Sequence, residues 1–207
     1  MKIKVADYII NHLSNIGVDN VFVVYGAANG NLIDAFTRND KIEYIATMHE
    51  QGGGFAAEGY AKVSKNIGVA IATSGPGGMN LVTSAGNCFY DSVPCLFLTG
   101  QIKTRYMRPD KTIRQIGFQE ADMVGVFKPV TKYSKLVENP ENIRYELEKA
   151  IHIAKSGRPG PVHLDLPIDV QKALIEPEKL LGFDEHLANV SYNLNLVNKQ
   201  IDSFLTD

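Results

Sequence analysis

The sequence has almost nothing from which a disulfide framework, a membrane anchor or a nucleic-acid surface is made. Its only two cysteines, Cys88 and Cys95, lie in apolar surroundings without the spacing of a cross-linked scaffold, which fits a reducing compartment. No apolar run approaches the length of a bilayer span. Asp7, Asn11 and His12 interrupt the N-terminal apolar positions, so the start is not a secretory signal. The 21 Lys and Arg nearly balance 23 Asp and Glu, for a net charge of −2, and no long basic run recommends nucleic acid or an anionic membrane as a partner. These absences predict a soluble, cytoplasmic chain.

Several catalytic signatures are missing as well. His49-Glu50 is followed by glycine at position 53, where a zinc-protease helix requires its second histidine. Gly75-Pro76-Gly77-Gly78 is not followed by the lysine and hydroxyl residue of a phosphate loop, and there is no Gly-x-Gly-x-x-Gly dinucleotide fingerprint. Serine catalysis lacks its Gly-x-Ser-x-Gly elbow. The five histidines are scattered, and read as core or solvated residues rather than metal ligands. A dehydrogenase, kinase or hydrolase is poorly supported.

What is present is a strict alternation of periods. The 207 residues, 44% hydrophobic and 21% charged, suit one large globular domain, or one domain and part of another. Val5, Ile9, Ile10, Leu13 and Ile16 recur at helical spacing before Gly17. Apolar runs at 21–25, 42–46, 68–73, 94–99, 130–136 and 162–166 predict strands, the first two of them buried, with Gly100 closing the fourth and Pro167 the last. Helices are expected around 32–36, 51–64, 81–89, 120–126 and 140–155. Strands alternating with helices across short glycine-bearing turns imply an α/β fold, a doubly wound open parallel sheet with helices on both faces. Residues 101–117 break the rhythm as a long polar loop carrying Lys103, Arg105, Arg108, Lys111 and Arg114. The domain is expected to span 1–168, with a polar linker at 169–187 and the opening of a further domain at 188–207.

Glu50 stands where a strand ends and a helix begins, the place at which open α/β sheets bind ligands. Gly52, Gly53 and Gly54 follow it, each costing roughly 1 kcal/mol against alanine in a helix. That cost suggests close approach of another backbone or of a flat ligand. A packed core helix preceded by an exposed carboxylate is the plainer alternative, and the residues alone leave both open.

Three strand-end junctions remain: Tyr25-Gly26-Ala27-Ala28, His49-Glu50-Gln51 and Thr73-Ser74-Gly75-Pro76-Gly77. Joined by Ala57-Glu58-Gly59-Tyr60-Ala61, Asn80, Asp91-Ser92-Val93-Pro94, Thr99-Gly100-Gln101, Phe118-Gln119-Glu120 and Gly157-Arg158-Pro159-Gly160-Pro161-Val162, they resemble the N-terminal pyrimidine-binding domain of thiamine diphosphate enzymes of the acetolactate synthase-like branch. The likeness runs from Val5 to Val170. It implies that Glu50 is the carboxylate bonded to the aminopyrimidine ring nitrogen, which makes the exocyclic nitrogen basic enough to activate the cofactor. It also implies that Tyr25, Gly26 and Ala27 line the pyrimidine, that Thr73, Pro76 and Asn80 approach it, and that Phe118 and Gln119 face the substrate. Turn geometry alone would equally account for Pro76 and the glycines.

The resemblance further implies a 2-oxo acid substrate and a homodimer or tetramer. Magnesium and the diphosphate would be held by a Gly-Asp-Gly…Asn segment that this sequence does not contain, so that the chain alone is expected to be inactive. The loop departs from the family: Ile102-Lys103-Thr104 and a basic insertion through Arg114 replace a shorter, proline-bearing segment. Carboligase and decarboxylase both stay open, and the added cations suit an anionic substrate. A non-catalytic scaffold module with the same fold is the alternative from another class.

Overall fold

A computed structural model describes residues 1–110 and 112–185. A two-residue strand β1 (Ile3–Lys4) leads into α1 (Val5–Asn15), and then β2 (Asn20–Val23), α2 (Gly30–Ala35), β3 (Glu43–Ala46) and α3 (Glu50–Ser64) follow. Next come β4 (Gly68–Ala72), α4 (Pro76–Asn80), α5 (Val82–Asp91), β5 (Cys95–Gln101), α6 (Met123–Phe127) and β6 (Tyr133–Leu136). The described part closes with α7 (Ile143–Lys155), β7 (Val162–Pro167), α8 (Ile168–Lys172) and β8 (Leu174–Ile175).

Six of the strands form one parallel sheet in the order β3-β2-β4-β5-β7-β6. Every residue of β4, β5 and β7 is buried, as expected of central strands covered on both faces. Alternate side chains serve two cores. On one side Leu96 and Leu98 meet Ile9, Leu13, Leu32, Leu147 and Leu164, from or beneath α1, α2 and α7. On the other, Phe97 meets Ala57, Leu81, Ala85 and Phe127 from α3, α5, α6 and the turn before α5. The expected doubly wound sheet with helices on both faces is what forms. From β2 the chain moves outward to β3 and returns across β2 to β4, so its winding reverses there. In open α/β sheets the crevice that takes the ligand lies at the strand ends of such a switch point, here between β2 and β4.

Five expectations change in detail. Of the 21–25 run only Val21 and Val23 are buried, β2 ends at Val23, and Tyr25 is exposed. The 42–46 run is not a buried strand: β3 is the sheet edge, all four of its residues are exposed, and only Ile42 before it is buried. Gly100 does not end the fourth strand, because β7 continues to pair with β5 at Gly100↔Leu166 and Gln101↔Pro167. The turn at 76–80 is itself a helical turn, with Pro76 at its start. Within 169–185 the segment read as a linker packs on the domain: Val170, Ile175 and Leu180 are buried and β8 pairs antiparallel with β1. Residues 188–207, expected to open a further domain, lie outside the described residues.

Candidate functional site

Glu50 is the first residue of α3, and His49 caps that helix, its Nδ1 accepting the Gln51 N–H at 3.1 Å. The capped terminus sets the half-buried Glu50 carboxylate in the crevice. Its Oε2 accepts from Asn80 Nδ2 at 2.9 Å. Its Oε1 lies beside Gly77, where a Cβ would come within 3.2 Å, and takes no hydrogen bond from the described residues. The same absent Cβ would sit 2.7 Å from Thr73 Cγ2, and one on Gly26 would sit 2.5 Å from Thr73 Cβ. Glycine at both positions thus lets the β2 and β4 turns close on Thr73, whose Oγ1 accepts the Ala28 N–H at 3.1 Å.

Gln119 joins from the other side. It adopts φ 57°, rare for a side-chain-bearing residue, and its carbonyl lies where a Cβ on Gly75 would be 2.6 Å away. Gly75 itself has φ 59°, a conformation that glycine tolerates. Five of the expected residues therefore meet: Gly26, Glu50, Thr73, Asn80 and, through Gly75, Gln119. Tyr25 lies over Gly30 and is exposed, as are Ala27, Pro76 and Phe118. None of these four hydrogen-bonds Glu50 among the described residues.

The three glycines after Glu50 divide by face. A Cβ on Gly54 would fall 1.9 Å from Ser84 Oγ, so α3 and α5 pack closely there, and one on Gly53 would meet Thr47 at 2.8 Å. Gly52 and Gly59 have nothing within 4 Å among the described residues.

The basic loop is tied down by Glu120, which sequence reasoning placed in a motif without a role. Its carboxylate accepts the N–H groups of Arg108 (2.6 Å), Ile116 (2.8 Å) and Gly117 (3.2 Å). Burial pushes the carboxyl up, but these bonds outweigh it and hold the group below its usual range. Arg108 Nη1 in turn donates to the carbonyls of Ile113 and Arg114. At the start of the loop Asp169 accepts from Thr104 Oγ1 at 2.6 Å. Between loop and sheet lies a cavity of about 210 Å³ bordered by Gln101, Arg108, Glu120, Asp122, Met123 and Asp165.

Sequence reasoning also missed a buried polar chain beneath this cavity. Ser134 Oγ contacts His163 Nδ1 at 2.8 Å, His163 Nε2 contacts Thr99 Oγ1 at 2.8 Å, and Thr99 reaches Asp165 Oδ1 at 2.6 Å. Gln101 Nε2 donates to Asp165 Oδ2 at 2.9 Å, and Phe127 stacks on the imidazole at 4.0 Å. Burial pushes the Asp165 carboxyl up to about 7 and the His163 imidazole down to about 3. The signal was there: polar residues at alternate positions of two apolar strands, 99 and 101 beside 163 and 165.

Against known proteins, residues 3–126 match the family model "Thiamine pyrophosphate enzyme, N-terminal TPP binding domain". The acetolactate synthase large subunit of Corynebacterium glutamicum is 42% identical over 171 residues, 83% of this chain and 26% of that protein. The chloroplastic acetolactate synthase of Arabidopsis thaliana is 42% identical over 174 residues, 84% of this chain and 25% of the relative. A probable acetolactate synthase large subunit of Methanocaldococcus jannaschii is 43% identical over 176 residues, 85% of this chain and 29% of the relative. The chain thus spans little more than a quarter of the length of the relatives it matches. A model covering more than half of the chain, on a sheet whose switch-point crevice holds Glu50, shows that this chain belongs to the thiamine pyrophosphate enzyme family, as an N-terminal TPP-binding domain.

Proposed function

We propose that the chain is the pyrimidine-binding portion of a thiamine diphosphate-dependent 2-oxo acid enzyme, an acetolactate synthase-like carboligase or decarboxylase, with Glu50 as its catalytic carboxylate. One observation carries the reading. Asn80 holds Glu50 by one oxygen, and the other oxygen is left beside a glycine backbone in the crevice. A carboxylate so held can bond a heteroaromatic ring nitrogen with Oε1 while Asn80 keeps it from turning away. The missing Cβ of Gly77 leaves a flat surface next to it, so the residues present fit the group.

In this reading Tyr25, Gly26 and Ala27 form one wall of the ring site, and Thr73, Pro76 and Asn80 the other. Phe118 and Gln119 stand on the substrate side. When bound, thiamine diphosphate supplies the carbanion-stabilising chemistry, and the chain supplies orientation and a proton held at the ring nitrogen. Magnesium and the diphosphate belong to a domain outside this chain. The cations of the 102–117 loop suit a 2-oxo acid, whose carboxylate is anionic.

Met48, Phe55, Val63, Met79 and Tyr90 are exposed apolar side chains on and around α3 and α5, and Gly52 and Gly59 leave α3 open to a close neighbour. That surface supports a homodimer, or a tetramer built from dimers. Among the described residues no helix is long and apolar enough to cross a membrane. The balanced charge and the two free, buried cysteines support a cytoplasmic protein with no nucleic-acid or membrane partner.

Glu50→Gln in the full-length protein tests the assignment. The expected result is an unchanged circular dichroism spectrum and a turnover of 2-oxo acids lowered roughly 10²–10⁴-fold, the range of a lost proton-transfer group. Wild-type turnover in that variant would remove Glu50 from the mechanism.

A further inference from the structure

The turn at 24–29 borders the Glu50 crevice, yet its own residues account for only part of its shape. Asn29 Oδ1 accepts the Gly26 N–H at 2.8 Å, and its Nδ2 donates to the Val24 carbonyl at 2.9 Å. Ala28, buried at the heart of the turn, is held from outside on both of its backbone polar atoms. Thr73 takes its N–H, and Gln171 Nε2 donates to its carbonyl at 2.7 Å. Gln171 lies on α8, 143 residues further along the chain, and is fully buried.

The same Nε2 donates to the Leu166 carbonyl at 2.7 Å. With two carbonyls as partners the amide has one orientation only, since the flipped form would set oxygen against oxygen. Its Oε1 takes no hydrogen bond from the described residues, a cost that a leucine filling the same space would not incur. What the side chain contributes at this position is therefore its two donated bonds. Gly100 completes the arrangement. A Cβ there would fall 2.1 Å from the Ala28 carbonyl oxygen and 2.8 Å from the Asn29 nitrogen, so only glycine lets the turn settle against β5.

We propose that Gln171 is a positioning residue for the cofactor: through the Ala28 carbonyl it clamps the 24–29 turn against Gly100 and so holds the wall of the pyrimidine site in its binding shape. This rests on the thiamine reading of the crevice. It ties the site to the docking of α8, so the segment after β7 acts on affinity without touching the ligand.

The test uses the full-length protein, with Gln171→Met, Gln171→Glu and Gly100→Ala beside wild type. Hydrogen exchange of the cofactor-free protein reads the clamp, and calorimetric titration with thiamine diphosphate and magnesium reads its consequence. In Gln171→Met, amides at 24–30 exchange faster while those of α1 and β4 keep wild-type rates. The dissociation constant of thiamine diphosphate rises roughly tenfold, the equivalent of one buried hydrogen bond of about 1.4 kcal/mol. The kcat at saturating cofactor falls by less than the affinity does. Gly100→Ala gives the same local pattern from the opposite side. Gln171→Glu regains affinity as pH falls, because its protonated form recovers one donor, and wild type shows no such recovery.

Unchanged exchange at 24–30, or an unchanged dissociation constant, in Gln171→Met overturns the proposal whatever Gly100→Ala shows. So does faster exchange spread evenly over the domain, which would make Gln171 a general packing residue. If wild type itself binds no thiamine diphosphate, the proposed function falls, while the exchange result alone still decides whether the clamp exists.

Discussion

Ser134, His163, Thr99 and Asp165 form a chain of hydrogen bonds that must run in one direction at a time. When Asp165 is ionised, Thr99 donates to Oδ1, its oxygen accepts from His163 Nε2–H, and Ser134 donates to Nδ1. When Asp165 is protonated every link reverses: Oδ1–H donates to Thr99, Thr99 donates to Nε2, and the ring proton moves to Nδ1 and points at Ser134. Burial pushes the carboxyl up to about 7 against the bonds from Thr99 and Gln101, with the charge of Asp122 adding to the rise. Burial keeps His163 neutral down to about 3, so its tautomer alone can respond. The imidazole should therefore pass from Nδ1–H to Nε2–H as pH rises through about 7. Stability follows with a fixed sign. The folded state holds a proton that the unfolded state has released, so stability declines as pH rises from about 4 to about 7 and is level above that. A rise of this size corresponds to about 4 kcal/mol as an upper bound. Asp165→Asn should remove the pH dependence and lock the Nδ1–H tautomer, since its amide oxygen must face Gln101 and its NH₂ must face Thr99. Two-bond ¹H–¹⁵N correlations of the His163 ring, recorded from acid to base, follow the tautomer, and denaturant unfolding over the same pH range follows the stability. A single tautomer throughout in wild type, or an unaltered switch in Asp165→Asn, would refute the reasoning.

Two more outcomes are expected. Glu120→Ala strips the acceptor from three backbone N–H groups and should destabilise the domain by about 1–3 kcal/mol. Limited trypsin digestion should then cut within 105–114 well before the rest of the chain, and equal cutting rates would contradict the tethering role. Val63→Glu, at a position that is 85% exposed, should shift stability by no more than about 0.5 kcal/mol. It should nonetheless lower the sedimentation coefficient of the full-length protein if the α3 surface is the self-association face, and an unchanged assembly would place the interface elsewhere.

How far the sequence was legible follows from where each residue finds its partner. The strand-helix alternation, the turn at 26, the Glu50 junction and the turn at 75–77 are written in neighbouring residues, and all could be read in place. The run from Ile42 to Ala46 looks the same whether helices cover it or the sheet ends there. Its exposure comes from the winding order, which puts β3 outside β2 and is not printed in any local pattern. Gly100 looked like a stop because glycine weakens a strand, yet two paired neighbours carry a central strand through it. The polarity of 169–185 concealed Val170, Ile175 and Leu180, whose five-residue spacing matches neither the helical nor the strand period. The least legible features were those made by register between distant strands. Thr99 meets Asp165 only because β5 and β7 lie side by side in one particular alignment, and Gln171 meets Ala28 only after that alignment has brought α8 under the first turn. Motifs therefore disclosed Glu50, Asn80, Thr73 and the turn glycines, whereas the pairings of Thr99 with Asp165 and of Gln171 with Ala28 depended on the finished topology.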